Sequence, residues 1–196
     1  MPSATPTIET ARFTLRELLR SDAADLFPSF SDQAAMKWWS RDVFGSQAEL
    51  AEWLVPESGW DEGRSWAVVA GHGDQVFGKV SGKVSGQVSG PVLARLAAMD
   101  RGDGVTEIAY LTVIGRQRQG IVTEALTGLI DHLFNAEGRR RLFADIDPDN
   151  DASNAVARRL GFVLEGRLRE NMVTHIGPRD SLIWGLLPSD WHARKG

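Results

Sequence analysis

Apolar and polar residues alternate along this chain with two distinct periods, and the switches between them predict its elements. Thr7 to Arg16 alternates and predicts a first strand. Ser21-Asp22 then caps a helix carrying Ala23, Ala24, Leu26 and Phe27. A second helical stretch is predicted over 32–39, and a third over 46–54, capped by Ser46 and bearing Leu50, Trp53 and Leu54. Ser65 to Ala70 predicts a strand, with Gly71-His72-Gly73-Asp74 as its hairpin turn. Val92 to Met99 and Val105 to Ile114 predict strands on either side of the turn Arg101-Gly102-Asp103-Gly104. Ile121 to Phe134 places Val122, Ala125, Leu126, Leu129, Ile130 and Leu133 on one helical stripe. A strand over Arg141–Ile146, a turn over Asp147–Asp151 and a helix over Ala152–Leu160 follow, the helix closed by Gly161. Phe162 to Leu168 and Met172 to Leu186 supply the last strands. Strands interrupted by helices in this order predict an α/β (α+β) sheet with helices packed on its faces.

One segment departs from both periods. Gly78 to Gly90 repeats a tetrapeptide, Gly-Lys-Val-Ser twice and then Gly-Gln-Val-Ser. Glycine at every fourth place weakens a strand and its register, and three short copies are too few for a solenoid. The segment reads as an in-frame expansion that lengthens a hairpin or splits a strand.

Composition narrows the class. A chain of 196 residues, 42% apolar and 24% charged, is expected to form one globular domain over 1–196 with a substantial core. No apolar run has the length of a membrane span, and the first residues lack the pattern of a secretory signal. The absence of cysteine excludes disulfides, thiolate metal sites and a cysteine nucleophile, and fits a cytoplasmic protein. The four histidines lack metal-ligand spacing, so no metal is expected. A net charge of −4 argues against nucleic acid as a partner and makes a basic or amine substrate electrostatically welcome.

The chemistry concentrates in residues 107–126, Glu-Ile-Ala-Tyr-Leu-Thr-Val-Ile-Gly-Arg-Gln-Arg-Gln-Gly-Ile-Val-Thr-Glu-Ala-Leu. A strand enters an Arg/Gln/Gly turn that opens a helix at once. Such a turn aims several backbone N–H groups at one point, at the positive end of the helix dipole, and makes a receptor for phosphate or pyrophosphate. An ordinary strand-to-helix turn would have the same residue types. Glu107 is a carboxylate on the strand that feeds the turn, which suggests a base near a phosphate-bearing cofactor.

Several segments, in order, resemble one family. Ile8–Arg16 is similar to a "TeRLxLR" opening and Trp38-Trp39-Ser40 to "rywS". Gln117–Val122 sits where the family has Q/R-x-x-G-x-G/A, and Thr123–Leu126 matches "tEAl". Asp147–Asn154 resembles "dpxNxaSxr", Leu160–Gly166 "lGFxxEG", and Asp180–Trp191 "DxxxyxLlpsDW". The chain thereby resembles the GNAT superfamily of N-acetyltransferases, and within it the Rim-type branch that acetylates ribosomal-protein N-termini. Two features depart from the pattern: Val122 stands where glycine or alanine is usual, and the repeat precedes Glu107.

The resemblance implies a GNAT fold, a mixed and mostly antiparallel sheet with acetyl-CoA held at a splay between two strands. It implies acetyl transfer to a primary amine, most readily a protein or peptide N-terminal α-amine. A small-molecule amine (polyamine, amino acid or antibiotic) and a non-catalytic acyl-CoA-binding module are the alternatives. Gln117, Arg118, Gln119, Gly120, Ile121 and Val122 would hold the pyrophosphate, with Val113 and Asn150 as further cofactor contacts. Glu107 would be the general base, with a carboxyl raised by partial burial. Ser153 would donate to the departing sulfur. Glu170 is a second carboxylate on the substrate side. Trp38 and Trp39, with Trp53, would wall the acceptor slot, although core packing is the better account of at least two of the three. Helix capping is the competing account of Asn150 and Ser153. A monomer and a homodimer both fit.

Overall fold

The computed structural model describes residues 5–57, 63–71, 81–84 and 87–194, with the backbone alone at 81–84 and 87–89. The predicted first strand is two: β1 (Ile8–Glu9) and β2 (Phe13–Glu17) pair antiparallel. Thr10 is the reason. Its N–H donates to the Phe13 carbonyl at 2.8 Å and its hydroxyl accepts from the Phe13 N–H at 3.0 Å. A hydroxyl that folds back onto the main chain leaves the apolar–polar alternation unchanged.

Three short helices follow, α1 (Ala23–Phe30), α2 (Gln33–Met36) and α3 (Gln47–Leu54). Ser46 caps α3 as predicted, accepting from the Glu49 N–H at 3.1 Å. Asp22 does not cap α1 with its side chain. The carboxylate turns back to accept two 2.7 Å bonds from Arg16 and one of 2.8 Å from the Leu19 N–H.

The sheet then continues through β3 (Gly63–Ala70), β6 (Ala94–Asp100) and β7 (Val105–Thr112). Between β3 and β6, β4 (Ser81–Val84) and β5 (Gln87–Ser89) form a separate antiparallel ribbon. The repeat therefore elaborates a hairpin. Its residues 78–80 and 85–86, and the predicted turn residues 72–74, lie outside the described residues. After β7 come α4 (Ile121–Asp131), extended by a π-helical turn over His132–Ala136, then β8 (Arg141–Ile146) and α5 (Asp151–Arg159). The chain closes with β9 (Val163–Thr174), β10 (Gly177–Leu186) and α6 (Pro188–Ala193), a helix the residue pattern did not predict. Trp191 of α6 is buried and donates its indole N–H to Asp131 at 2.7 Å, tying the tail to the end of α4.

The eight-stranded sheet runs β1-β2-β3-β6-β7-β8-β10-β9, antiparallel except for β7 and β8. Its two faces are divided by the period of two. Trp66 and Val68 of β3 join α4 in one core with Leu126 and Leu129, while Ala67 between them joins α1 and α3 in the other, with Leu26, Phe30 and Leu50. The parallel pair is short. Val105, Thr106 and Glu107 pair with Arg141, Leu142 and Phe143, and pairing then stops. Beyond it β7 pairs only with β6 and β8 only with β10. The two strands splay from Glu107 onward, which leaves their inward peptide groups without a strand partner.

Candidate active site

The splay opens into a cleft of about 1410 Å³ whose walls come from β7, β8, α4, α5, the α2–α3 segment and the β9–β10 hairpin. One end is built by the turn between β7 and α4. Gly115 (φ +79°), Arg118 (φ +61°) and Gly120 (φ +75°) occupy the left-handed region, so the chain doubles back before the helix starts. The first intrahelical bond is donated by Glu124 to the Gly120 carbonyl at 3.0 Å. The N–H groups of Gly120, Ile121, Val122 and Thr123 thus precede the helical ladder and stand at its positive end. A Cβ at Gly120 would meet the Arg12 Nη2 atom at 3.3 Å. Arg116 and Arg118 add positive charge to the same wall. The donor set, its charge and its glycine fit a pyrophosphate.

This turn is held from behind. Glu124 accepts from the Arg12 N–H and Nε, both at 2.7 Å, and from the Thr10 hydroxyl at 2.9 Å. The Arg12 guanidinium also reaches the Gln119 carbonyl at 3.3 Å. Burial pushes the Glu124 carboxyl up, but these donors outweigh it and hold the group below its ordinary value. The β1–β2 turn is therefore bolted to the phosphate turn. Both residues stood in recognised motifs, but a contact across most of the chain has no local signal.

Val122 is buried in the core beside the apolar stripe of α4 and also lines the cleft. Of the other predicted cofactor residues, Gln117, Arg118, Gly120, Ile121 and Asn150 line the cleft, whereas Val113 and Gln119 do not. Val113 packs against the α1–α3 core, and the Gln119 side chain donates back to the Gly115 carbonyl at 3.2 Å.

At the narrow end of the splay Glu107 lines the cleft. Its Oε2 accepts from Arg101 Nε at 2.9 Å and Nη2 at 2.7 Å, while Oε1 accepts no hydrogen bond from the described residues. Opposite stands the first turn of α5. Asn150 is its N-cap and accepts from the Ser153 N–H at 3.2 Å, so the capping account of Asn150 is correct, and both residues also line the cleft. Tyr110 packs against the core and spans the splay: its hydroxyl donates to the Ser153 carbonyl at 3.1 Å. Burial pushes this phenol up to about 12, so it remains protonated.

Asn154 fixes the turn before α5. Its amide donates to the carbonyls of Asp147, Pro148 and Asn150 and accepts from the Trp184 indole at 2.8 Å. Arg179 of β10 clamps the turn from outside through Asp147 at 2.7 and 2.9 Å and Asp149 at 2.6 Å. Hydrogen bonding to Arg179 holds the Asp147 carboxyl low, against the effect of burial.

The cleft wall built by the α2–α3 segment is aromatic. Trp39 and Trp53 stack with Phe30, Trp39 at 5.5 Å and Trp53 at 5.8 Å, and belong to the α1–α3 core as well as the cleft wall. Trp38 faces Arg179, whose guanidinium lies 5.6 Å from the ring centroid. Arg95 also lines this end. It is buried, donates to the Ser65 hydroxyl at 2.9 Å and lies 5.1 Å from the Trp53 ring. Burial pulls its guanidinium down to about 10, still cationic at neutral pH. An arginine inside the apolar run Val92–Met99 was the available signal for it. Glu170 is not brought to the cleft: it sits exposed at φ +48° in β9, where its N–H donates to Asp180 at 2.8 Å.

A turn that fits a pyrophosphate at one end of a strand splay and a carboxylate at its apex match the needs of an acyl-CoA-dependent transferase. The chain belongs to the GNAT acetyltransferase family: residues 12–163 match the acetyltransferase (GNAT) domain. The uncharacterized N-acetyltransferase YoaA of Bacillus subtilis is 23% identical over 185 residues, which cover 93% of this chain and 97% of that protein. The ribosomal-protein-serine acetyltransferase of Escherichia coli is 42% identical over 64 residues, 33% of this chain and 36% of that one. The spermidine N-acetyltransferase of Vibrio cholerae, solved with CoA and spermine, shares the fold at a TM-score of 0.73 and 16% identity, covering 92% of this chain and 98% of that one. This chain is accordingly an acetyl-CoA-dependent N-acetyltransferase. Among the described residues no helix is long and apolar enough to cross a membrane, and no three His, Asp or Glu side chains are grouped to hold a metal ion.

Proposed function

We propose that this enzyme acetylates the N-terminal α-amine of a protein or peptide. The observation that carries the reading is how the carboxylates of the cleft are engaged. Glu107, Asp147 and Asp180 are ion-paired with Arg101, Arg179 and Arg167. Asp145 accepts from the Asn171 amide at 3.3 Å, and Asp151 sits in the first turn of α5. Six arginines line the same cleft. A polyamine carries several charges and is best held by several unneutralised carboxylates; three of the five here are already ion-paired, which leaves Asp145 and Asp151. A single α-amine needs far less. It also ionises near pH 8, against about 10.4 for an alkyl amine such as lysine, so a carboxylate base has less work to do. The partial match to a ribosomal-protein acetyltransferase supports the same class.

Bound acetyl-CoA supplies the activated thioester carbonyl. Gly120 to Thr123 hold its pyrophosphate by their N–H groups, and Gln117 and Arg118 flank it. Asn150 orients the pantetheine arm. Trp38 and Trp39 wall the acceptor so that its nitrogen meets the carbonyl carbon at the apex of the splay. As the C–N bond forms, Glu107 takes the amine proton through water. As the C–S bond breaks, the Ser153 hydroxyl donates to the thiolate, and water restores that proton.

A thiol-release assay over peptides with free N-termini and over polyamines tests the reading. Peptide turnover at a kcat/KM at least about tenfold above that of spermidine is expected, and the reverse order overturns it. Glu107→Gln should lower kcat by about 10²–10⁴-fold and leave the acetyl-CoA Kd in isothermal titration unchanged. An undiminished kcat would remove Glu107 from the chemistry.

A further inference from the structure

Exposed apolar side chains are unevenly distributed on this molecule. Among the described residues eight large ones are exposed, and six lie on β9 or its turn: Val163, Leu164, Leu168, Met172, Val173 and Ile176. Val173 is the most open, at 78%. β9 is also the last strand of the sheet, so among the described residues the outer edge of this 12-residue strand has no strand partner, with an irregularity where Glu170 takes φ +48°. A long edge that carries apolar side chains is a template for another strand.

The position of this edge says what fits it. Met172 lines the acceptor end of the cleft, and by register it stands beside Arg179, which clamps the catalytic turn. Leu168 stands beside Ser181, another cleft residue. Met172 and Leu168 thus carry the cleft wall on along one face of β9, while Val173 and Leu164 stand on the other face of the same edge. A small amine would use none of this surface. An extended polypeptide whose N-terminus enters the cleft would use both parts, its main chain pairing with the β9 edge and its side chains meeting Leu168 on one face and Val173 on the other.

We infer that β9 is a docking track for the acceptor polypeptide, which adds to the sheet as an extra strand downstream of its reacting amine. The inference rests on the peptide-acceptor reading above and extends it: the acceptor is an extended or unstructured protein N-terminus, recognised largely through its backbone.

The test is a series of peptides sharing their first three residues, with lengths from three to about fourteen. For the unaltered enzyme kcat/KM should rise about tenfold or more with length, mainly through KM, since a decade corresponds to 1.4 kcal/mol. Methylating alternate peptide nitrogens in the distal half should abolish the gain. Leu168→Glu and Val173→Asp, neither of which lines the cleft, should lose the gain while acetylating the three-residue peptide at the unaltered rate. Thermal melts of both variants establish that they fold. A kcat/KM independent of length, or a gain that survives both variants, overturns the track and leaves the peptide reading standing. Turnover of small amines with none of any peptide overturns both. Sedimentation showing a dimer that Val173→Asp dissociates would assign the strip to a second copy and overturn the proposal.

Discussion

At the scale of single residues, the site depends on which way a side chain points. Val122 departs from the family's small residue, yet its side chain belongs to the core beside Leu126 and leaves its N–H to the phosphate turn. Val122→Ala should therefore cost about 1–2 kcal/mol in urea unfolding without tightening acetyl-CoA binding by titration. A marked gain in affinity would show that the valine obstructs the turn after all. Tyr110 shows the same dependence. Its position in an apolar strand reads as core, but its hydroxyl reaches across the splay to Ser153. Tyr110→Phe removes that bond and leaves a carbonyl short of a donor, so we expect a loss of about 1–2 kcal/mol in stability and a lower kcat. Residue types named Glu107, Asn150 and Ser153 as candidates. Their partners Arg101 and Tyr110 were not legible, because hydrogen bonds between strands and helices follow from packing and leave no local pattern.

At the scale of elements, the phosphate turn works because three pieces hold it. Gly120 supplies the left-handed backbone, α4 supplies the dipole, and Arg12 with Glu124 fastens the β1–β2 turn behind it. Gly120→Ala forces a side chain into a left-handed conformation and towards Arg12, at a cost of about 1–2 kcal/mol. We expect acetyl-CoA affinity to fall about tenfold while the acceptor KM stays put. An equal change in both would mean that the turn serves the whole cleft. The turn itself was readable from glycine spacing between an apolar strand and an amphipathic stripe. The bolt behind it was not, since Arg12 and Glu124 stand in separate motifs and nothing local in the sequence joins them. The repeat is the converse: its period was plain, and only the strand pairing of β3 with β6 shows that it decorates a hairpin.

At the scale of the whole molecule, carboxylate–arginine pairs join distant parts, and they set an acid limit on the fold. Burial pushes the Glu137 carboxyl up, but hydrogen bonding and charge from Arg64, with help from His132 and Arg139, bring it below its ordinary value of 4.5. Glu124 and Asp147 are likewise depressed. A depressed carboxyl stabilises the fold above its unfolded value, and that contribution is lost as pH falls through the folded one. Urea midpoints should therefore begin to drop below about pH 4.5, from these groups, and not between pH 6 and 8. Glu137→Gln should cost about 1–2 kcal/mol at pH 7 and much less near pH 3. Equal losses at both values would mean that charge is not what the residue contributes. The sequence by itself determined most of the order of strands and helices and a sheet covered by helices, because periodicity and turn chemistry act between near neighbours in the chain; the acetyltransferase class came from its resemblance to the GNAT family. Tertiary structure alone decided where β7 and β8 part, which arginines neutralise the cleft, that Glu170 points away from it and that β9 is an open apolar edge. Those outcomes follow from which strands become neighbours, and that is settled by how the whole chain packs.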